Sequence, residues 1–307
     1  MKKHQAERPV TTLYAEVTDR IIAELEAGRL PWVQPWGACG ADVGMPCNAG
    51  TGRRYSGINV LILWARVMER GFSSQRWLTY RQAQALGGNV RKGETGTTIC
   101  YADRFTPKDQ EAGERDGEEA RQVAFLKRFT VFNVDQCEGL GPDLVAAPGP
   151  LPEDQMVPVA DDLIAASGVD FRVGGLEAFY VPAEDLVVVP PRRAYFDEIN
   201  AYRTWLHELV HATGHASRLG RDLTNPFGSA GYAREELIAE MGSAFLCASL
   251  GIVPTVRHAD YIGAWLEVLR EDSRAIFRAA SAASKAADWL LERHAGACRD
   301  YAREEAA

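Results

Sequence analysis

No stretch of the 307 residues approaches the roughly 18 consecutive apolar residues that a membrane-spanning helix requires. The opening residues, Met1-Lys2-Lys3-His4-Gln5-Ala6-Glu7-Arg8, are charged and lead into no apolar segment of the kind a secretory signal carries. Cysteine is sparse: six residues, at 39, 47, 100, 137, 247 and 298, with no Cys-x-x-Cys pair. That spacing argues against a thiolate zinc site and suits free thiols in a reducing compartment better than a disulfide frame. No internal repeat shows at a solenoid period. A soluble, cytoplasmic, globular protein is expected, and a composition of 46% hydrophobic and 25% charged residues agrees with it. Single cores rarely grow past about 250–300 residues, so two domains are expected.

The net charge of −8 is unevenly spread. Residues 1–102 hold 13 Lys and Arg against 8 Asp and Glu, whereas residues 141–307 hold 15 against 25. The N-terminal part can therefore present a basic face, and the acidic C-terminal part is not expected to.

Apolar periodicity predicts helices over Leu13–Leu25, Ile58–Arg70 and Thr79–Leu86. Strands are expected over Thr97–Phe105 and Val123–Val134, joined by a charged, solvated loop over Thr106–Gln122. Pro and Gly are dense from Gly139 to Pro158, which makes 141–158 the expected linker between domains 1–140 and 159–307. Beyond it come a helix over Val159–Ala166 and short strands near Val169–Val173, Phe179–Val181 and Leu186–Val189. Helices follow over Asp197–His215 and Ala233–Leu250, with two more between Pro254 and Ala295. The fold class is α+β.

The strongest chemical signal is His207-Glu208-Leu209-Val210-His211. Residues four apart share a helix face, so both imidazoles can reach one cation, while Glu208 is placed to take a proton from its water. Zn2+ suits such nitrogen and carboxylate donors. An extended His-Glu-x-x-His-x-x-Gly-x-x-His motif would need its third histidine at 217, which is Ser217, and His215 follows Gly214 too soon to replace it. The third ligand is expected instead on the next helix, where Glu236 and Glu240 border an apolar face. Small residues flank Glu240, and it is taken as the ligand, with Glu236 behind it or as its alternate. Tyr202, His215 and Tyr232 are equal candidates to steady an oxyanion. The hydrophobic strand Leu186–Val189 is expected to offer an edge to an extended peptide.

In the N-terminal half, Trp32 and Trp36 are followed by a Gly-rich segment bearing Arg53, Arg54, Tyr55 and Asn59, and by a second basic loop with Lys92. Aromatic faces plus basic loops are the ingredients of single-stranded nucleic-acid binding. No helix is basic along its length, which disfavours reading of a major groove.

These motifs, taken in order, resemble a known family. The run from Tyr14 to Trp36, then Asn48-x-x-Thr51-Gly52-x-x-Tyr55-x-Gly57-x-Asn59, then Lys92-Gly93-Glu94, is similar to the N-terminal domain of ArdC-type antirestriction proteins, also found in plasmid TraC primases. The His-Glu-x-x-His helix with Thr213-Gly214-His215, Arg218-Leu219 and Tyr232-Ala233-Arg234-Glu235-Glu236-Leu237 resembles their zincin-like C-terminal domain. The resemblance implies a small α+β domain that binds single-stranded DNA, joined to a mostly helical metallopeptidase-like domain with a small edge sheet. It implies His207, His211 and a Glu of the second helix as zinc ligands and Glu208 as catalytic. It further implies protection of incoming conjugative plasmid DNA from host restriction, with a protein of the restriction machinery as the expected substrate. Two other readings stand beside it: a metallopeptidase whose N-terminal domain recognises a protein, and a DNA-binding module with a structural zinc.

Overall fold

The computed structural model describes residues 12–32, 44–105, 123–145, 153–252 and 261–305. Helix α1 (Leu13–Glu26) starts at Thr12, whose hydroxyl accepts from the Ala15 N–H, and its apolar stripe buries Ile21 and Leu25. Strand β1 (Cys47–Asn48) precedes helix α2 (Ile58–Arg70). The expected bounds of α2 hold because Gly71 closes it in the left-handed conformation at φ 64°. Strand β2 (Arg76–Leu78) leads into α3 (Tyr80–Ala85), opened by a reciprocal Thr79–Gln82 cap. Strand β3 (Asn89–Val90) and the long strands β4 (Thr97–Phe105) and β5 (Val123–Asn133) follow. The connection expected to be a solvated loop lies outside the described residues.

Strands β1, β2, β5 and β4 form one sheet in that order, and β3 pairs with β6 (Cys137–Glu138). The expected linker is helical at both of its described ends, with α4 over Pro142–Val145 and α5 over Glu153–Ser167. Helix α5 thus begins before the expected Val159 and carries Pro158 within it, at the loss of one backbone hydrogen bond.

The C-terminal half holds a three-stranded sheet of β7 (Asp170–Val173), β8 (Phe179–Val181) and β9 (Leu186–Val189). Its order is β7-β9-β8, so the expected edge strand, β9, is the central one. The reason lies in its sequence: four consecutive apolar residues suit a strand covered on both sides. The edge facing the cleft is β8, antiparallel to β9. Helices α6 (Glu198–Ala212), α7 (Ala230–Ser249), α8 (Ile262–Glu271) and α9 (Ala275–Glu305) complete the fold.

One hydrophobic core runs through both halves. Trp32 meets Trp265 edge-on at 5.4 Å, and Trp64 meets Phe245 in the same way at 5.6 Å. Such aromatic pairs add about 0.5–1.5 kcal/mol each beyond the area they bury. The halves are therefore packed into one another. Among the described residues the cysteines are free, and no helix is long and apolar enough to cross a membrane.

Candidate metal centre

Helix α6 is apolar on the side that meets α7, burying Tyr202, Leu206, Leu209 and Val210. Its two motif histidines stand one turn apart and bring their Nε2 atoms to 3.1 Å from each other. Helix α7 comes close enough to complete the group because Gly242 faces Val210, where a Cβ would lie only 2.9 Å from Cγ1. The small residues noted in the sequence do permit this close approach.

Glu236 closes a triangle with the histidines. Its Oε2 lies 3.3 Å from His207 Nε2 and its Oε1 3.5 Å from His211 Nε2. Two ligands held about 2.0–2.1 Å from a tetrahedral ion are themselves about 3.3 Å apart, so the donors of His207, His211 and Glu236 are spaced to fit one such ion. Glu240 is the point of difference from the sequence expectation. It lies one turn further along α7, and its Oε1 reaches the opposite ring nitrogen, Nδ1 of His207, at 3.5 Å. The histidines are thus grouped with Glu236, and Glu240 stands behind one imidazole.

His211 is supported in the same manner, with Nδ1 3.1 Å from Glu235 Oε1. A carboxylate behind each imidazole fixes which nitrogen is free to bind a cation. Arg221 holds Glu235 in turn, donating from Nε at 3.0 Å and from Nη2 at 2.8 Å. The sequence reading gave this layer no role: Glu235 stands in the run Tyr232–Leu237 without an assigned function, and Arg221 belongs to no motif.

Glu208, Glu235, Glu236 and Glu240 are all buried. Burial works against charge on the His207 imidazolium, but the hydrogen bond to Glu236 and the charges of Glu240, Glu208 and Glu236 hold its pKa well above the ordinary histidine range. Burial likewise opposes the Glu236 carboxylate, which its contacts with His207, His211 and Tyr232 nonetheless keep well below the usual value. The surroundings favour positive charge at this point, which is the electrostatic requirement for a divalent cation.

His207, Glu208, His211 and Glu236 line a cleft of about 1210 Å³. Strand β8 forms one wall through Phe179 and Tyr180, and the fully exposed Phe196 and largely exposed Phe227 stand at its rim. The structure separates the three oxyanion candidates. Tyr202 is buried, with its hydroxyl donating to Asp161 at 3.0 Å. His215 turns to Ser217 Oγ at 2.7 Å and to Asp185 at 3.7 Å. Tyr232 alone of the three lines the cleft, with its hydroxyl 3.4 Å from that of Tyr261 and its ionisation suppressed by burial and by neighbouring Tyr261 and Glu236.

Among the described residues, those expected to bind DNA differ in exposure. Trp32 is fully buried against Trp265, so it offers no face to a base, which corrects its assignment as a stacking residue. Trp36 lies outside the described residues. Tyr55 is half-buried against the core. Asn59 clamps the backbone of β4, donating to the Cys100 carbonyl at 2.7 Å and accepting from its N–H at 2.8 Å. Arg53, Arg54 and Lys92 are exposed.

Comparison with known proteins places both halves. Residues 11–132 match the model of the N-terminal domain of anti-restriction factor ArdC, and residues 158–282 match a zincin-like metallopeptidase family. The crystal structure of the antirestriction protein ArdC from plasmid R388 in its metal-free form is 41% identical, with a TM-score of 0.78 over 92% of this chain and 98% of that one. The chain belongs to the ArdC family of antirestriction proteins. The Mn(II)-bound ArdC structure from R388 is 40% identical, with a TM-score of 0.75 over the same shares. An uncharacterized protein of Sinorhizobium fredii, y4eC, is 40% identical over 298 residues, 95% of this chain and 96% of its own. DNA primase TraC of Escherichia coli is 40% identical over 296 residues, which are 91% of this ArdC-family chain but 27% of the primase.

Proposed function

We propose that this ArdC-family protein binds single-stranded DNA, carries a zinc-dependent peptidase site, and so shields plasmid DNA entering by conjugation from host restriction. The observation that carries the enzymatic part is the triangle of His207, His211 and Glu236 donors opening into a cleft that Glu208 also lines. Two imidazoles and one carboxylate are a donor set that zinc prefers and that leaves a position open for water or substrate.

A zinc ion bound there would supply Lewis-acid polarisation of a carbonyl and a water of lowered pKa. Glu208 takes the water proton and passes it to the departing amine. Tyr232 offers a hydroxyl to the oxyanion that forms on the scissile carbonyl. The free edge of β8 aligns an extended peptide, and the aromatic rim of Phe196 and Phe227 receives apolar side chains. The DNA-binding part rests on the family relationship and on the exposed Arg53, Arg54 and Lys92. The substrate in view is a protein of the restriction machinery.

Glu208→Gln tests the catalytic assignment. Bound metal and melting temperature should stay as in the parent, while hydrolysis of a casein or peptide-library substrate falls by about 10²–10⁴-fold. Loss of metal in this variant, or hydrolysis at the parent rate, would remove Glu208 from its role as base.

A further inference from the structure

A second cavity, of about 890 Å³, lies where the two halves meet. Its floor is the first turns of α9, and its walls are the start of α1, the start of α2, the paired strands β4 and β5, and the segment after α6. Arg274, Arg278 and Lys285 of the floor fall at helical spacing on one face, spanning roughly 16 Å at 1.5 Å per residue. The opposite face of α9 is the buried alanine stripe from Ala275 to Ala287, so these cations are forced outward. No carboxylate side chain lines the cavity among the described residues. Exposed Tyr101 and half-buried Tyr14 supply aromatic faces along the same groove.

Two of the cations have partners that leave them usable. Arg274 lies over the Tyr14 ring at 4.9 Å, and Arg278 pairs with Asp272 in solvent, where such a pair is worth little. Lys285 is exposed and has no partner among the described residues. Arg221 also lines the groove at that end, with its charge already met by Glu235. A floor bearing Arg274, Arg278 and Lys285 with aromatic walls suits a flexible polyanion that carries stackable rings.

We propose that this groove is the path of single-stranded DNA, with Arg274, Arg278 and Lys285 of the C-terminal half holding phosphates and Tyr101 of the N-terminal half stacking a base. The proposal rests on the reading of the protein as a single-strand binder and goes beyond it by moving much of the contact onto the zincin-like half, whose acidic sequence had argued against a basic face.

The test is fluorescence anisotropy of a labelled oligothymidylate against the full-length chain over a series of salt concentrations. In the double variant Arg274→Ala/Lys285→Ala, affinity should fall by about an order of magnitude, and the slope of log K against log salt should flatten by about 0.7 per phosphate contact removed. Tyr101→Ala should weaken binding and leave that slope unchanged. Both changes are at exposed positions, and retained bound metal would show that the fold is intact. Parent-like binding by the double variant, with a loss confined to Arg53→Ala and Lys92→Ala, would overturn the groove while leaving single-strand binding standing. Failure of the parent chain itself to bind the oligonucleotide, or effective competition by duplex, would overturn the underlying reading and the groove with it.

Discussion

Glu235 stands between His211 and Arg221, 3.1 Å from the imidazole Nδ1 and 2.8 Å from the guanidinium Nη2. The histidine is thereby held in one orientation by a carboxylate that cannot itself swing away. The buried charge of Glu235 is tolerated here because the Arg221 guanidinium carries the opposite sign.

Glu235→Gln keeps the shape of the side chain and removes its charge. Loss of such an outer partner lowers metal affinity by about 10–100-fold. Competition against a fluorescent zinc chelator should show that drop, with a metal-bound fold otherwise like the parent. Unchanged affinity would mean that Glu235 serves only to anchor Arg221.

Glu236 and Glu240 can be told apart by the same assay. Glu236→Gln should abolish retention of a stoichiometric metal ion, because it removes one of three donors. Glu240→Gln should retain metal at an affinity lowered by about 10–100-fold, since that carboxylate meets Nδ1 of His207 and not Nε2. The reverse pattern would restore Glu240 as the ligand.

Why the sequence pointed to the neighbouring glutamate is instructive. Spacing on α7 puts Glu236 and Glu240 on one face but does not say how far α7 slides along α6, and one turn of slide exchanges the two. The steric contact of Gly242 with Val210 sets that slide, and it is a tertiary fact. Helix α2 was legible to the residue because its ends are written locally, by Gly57 and Gly71. Trp32 misled for the opposite reason: an aromatic in a basic, Gly-rich neighbourhood reads as a stacking face, and only its partner Trp265, more than two hundred residues away, shows it to be core. Strand β9 was found at its expected residues, yet its place in the middle of the sheet depends on pairing with β7, which no local pattern announces.

Asp185 links the β8–β9 turn to the segment after α6, accepting from Arg218 at 2.6 and 2.9 Å and from the Tyr180 hydroxyl at 2.9 Å. Burial opposes its charge, but Arg218 and Tyr180 more than offset this and hold its pKa below the ordinary aspartate value. A carboxylate depressed in the folded state stabilises the protein above its unfolded pKa, near 4, and that stabilisation is lost as pH falls through the folded value. Asp185→Asn should therefore cost about 1–3 kcal/mol at neutral pH, with the gap to the parent narrowing below about pH 4. Thermal melts from pH 7 to pH 3 measure it, and a gap independent of pH would exclude this pair as its source.

Trp265→Ala would open a large cavity against Trp32 and should destabilise the protein by about 3–5 kcal/mol. The loss should appear equally in both halves: tryptophan fluorescence and metal release should report one shared denaturant midpoint. Two separate midpoints would show that the halves unfold independently.

The continuous core also bears on how such a protein can be passed between genomes. A recombination breakpoint at the junction of the halves would leave Trp32 and Trp64 on one fragment and Trp265 and Phe245 on the other, each with a bare apolar face turned to water. Viable exchanges must then fall outside the packed block. The longer TraC primases of Escherichia coli align with more than nine-tenths of this chain, so the match takes in both halves together.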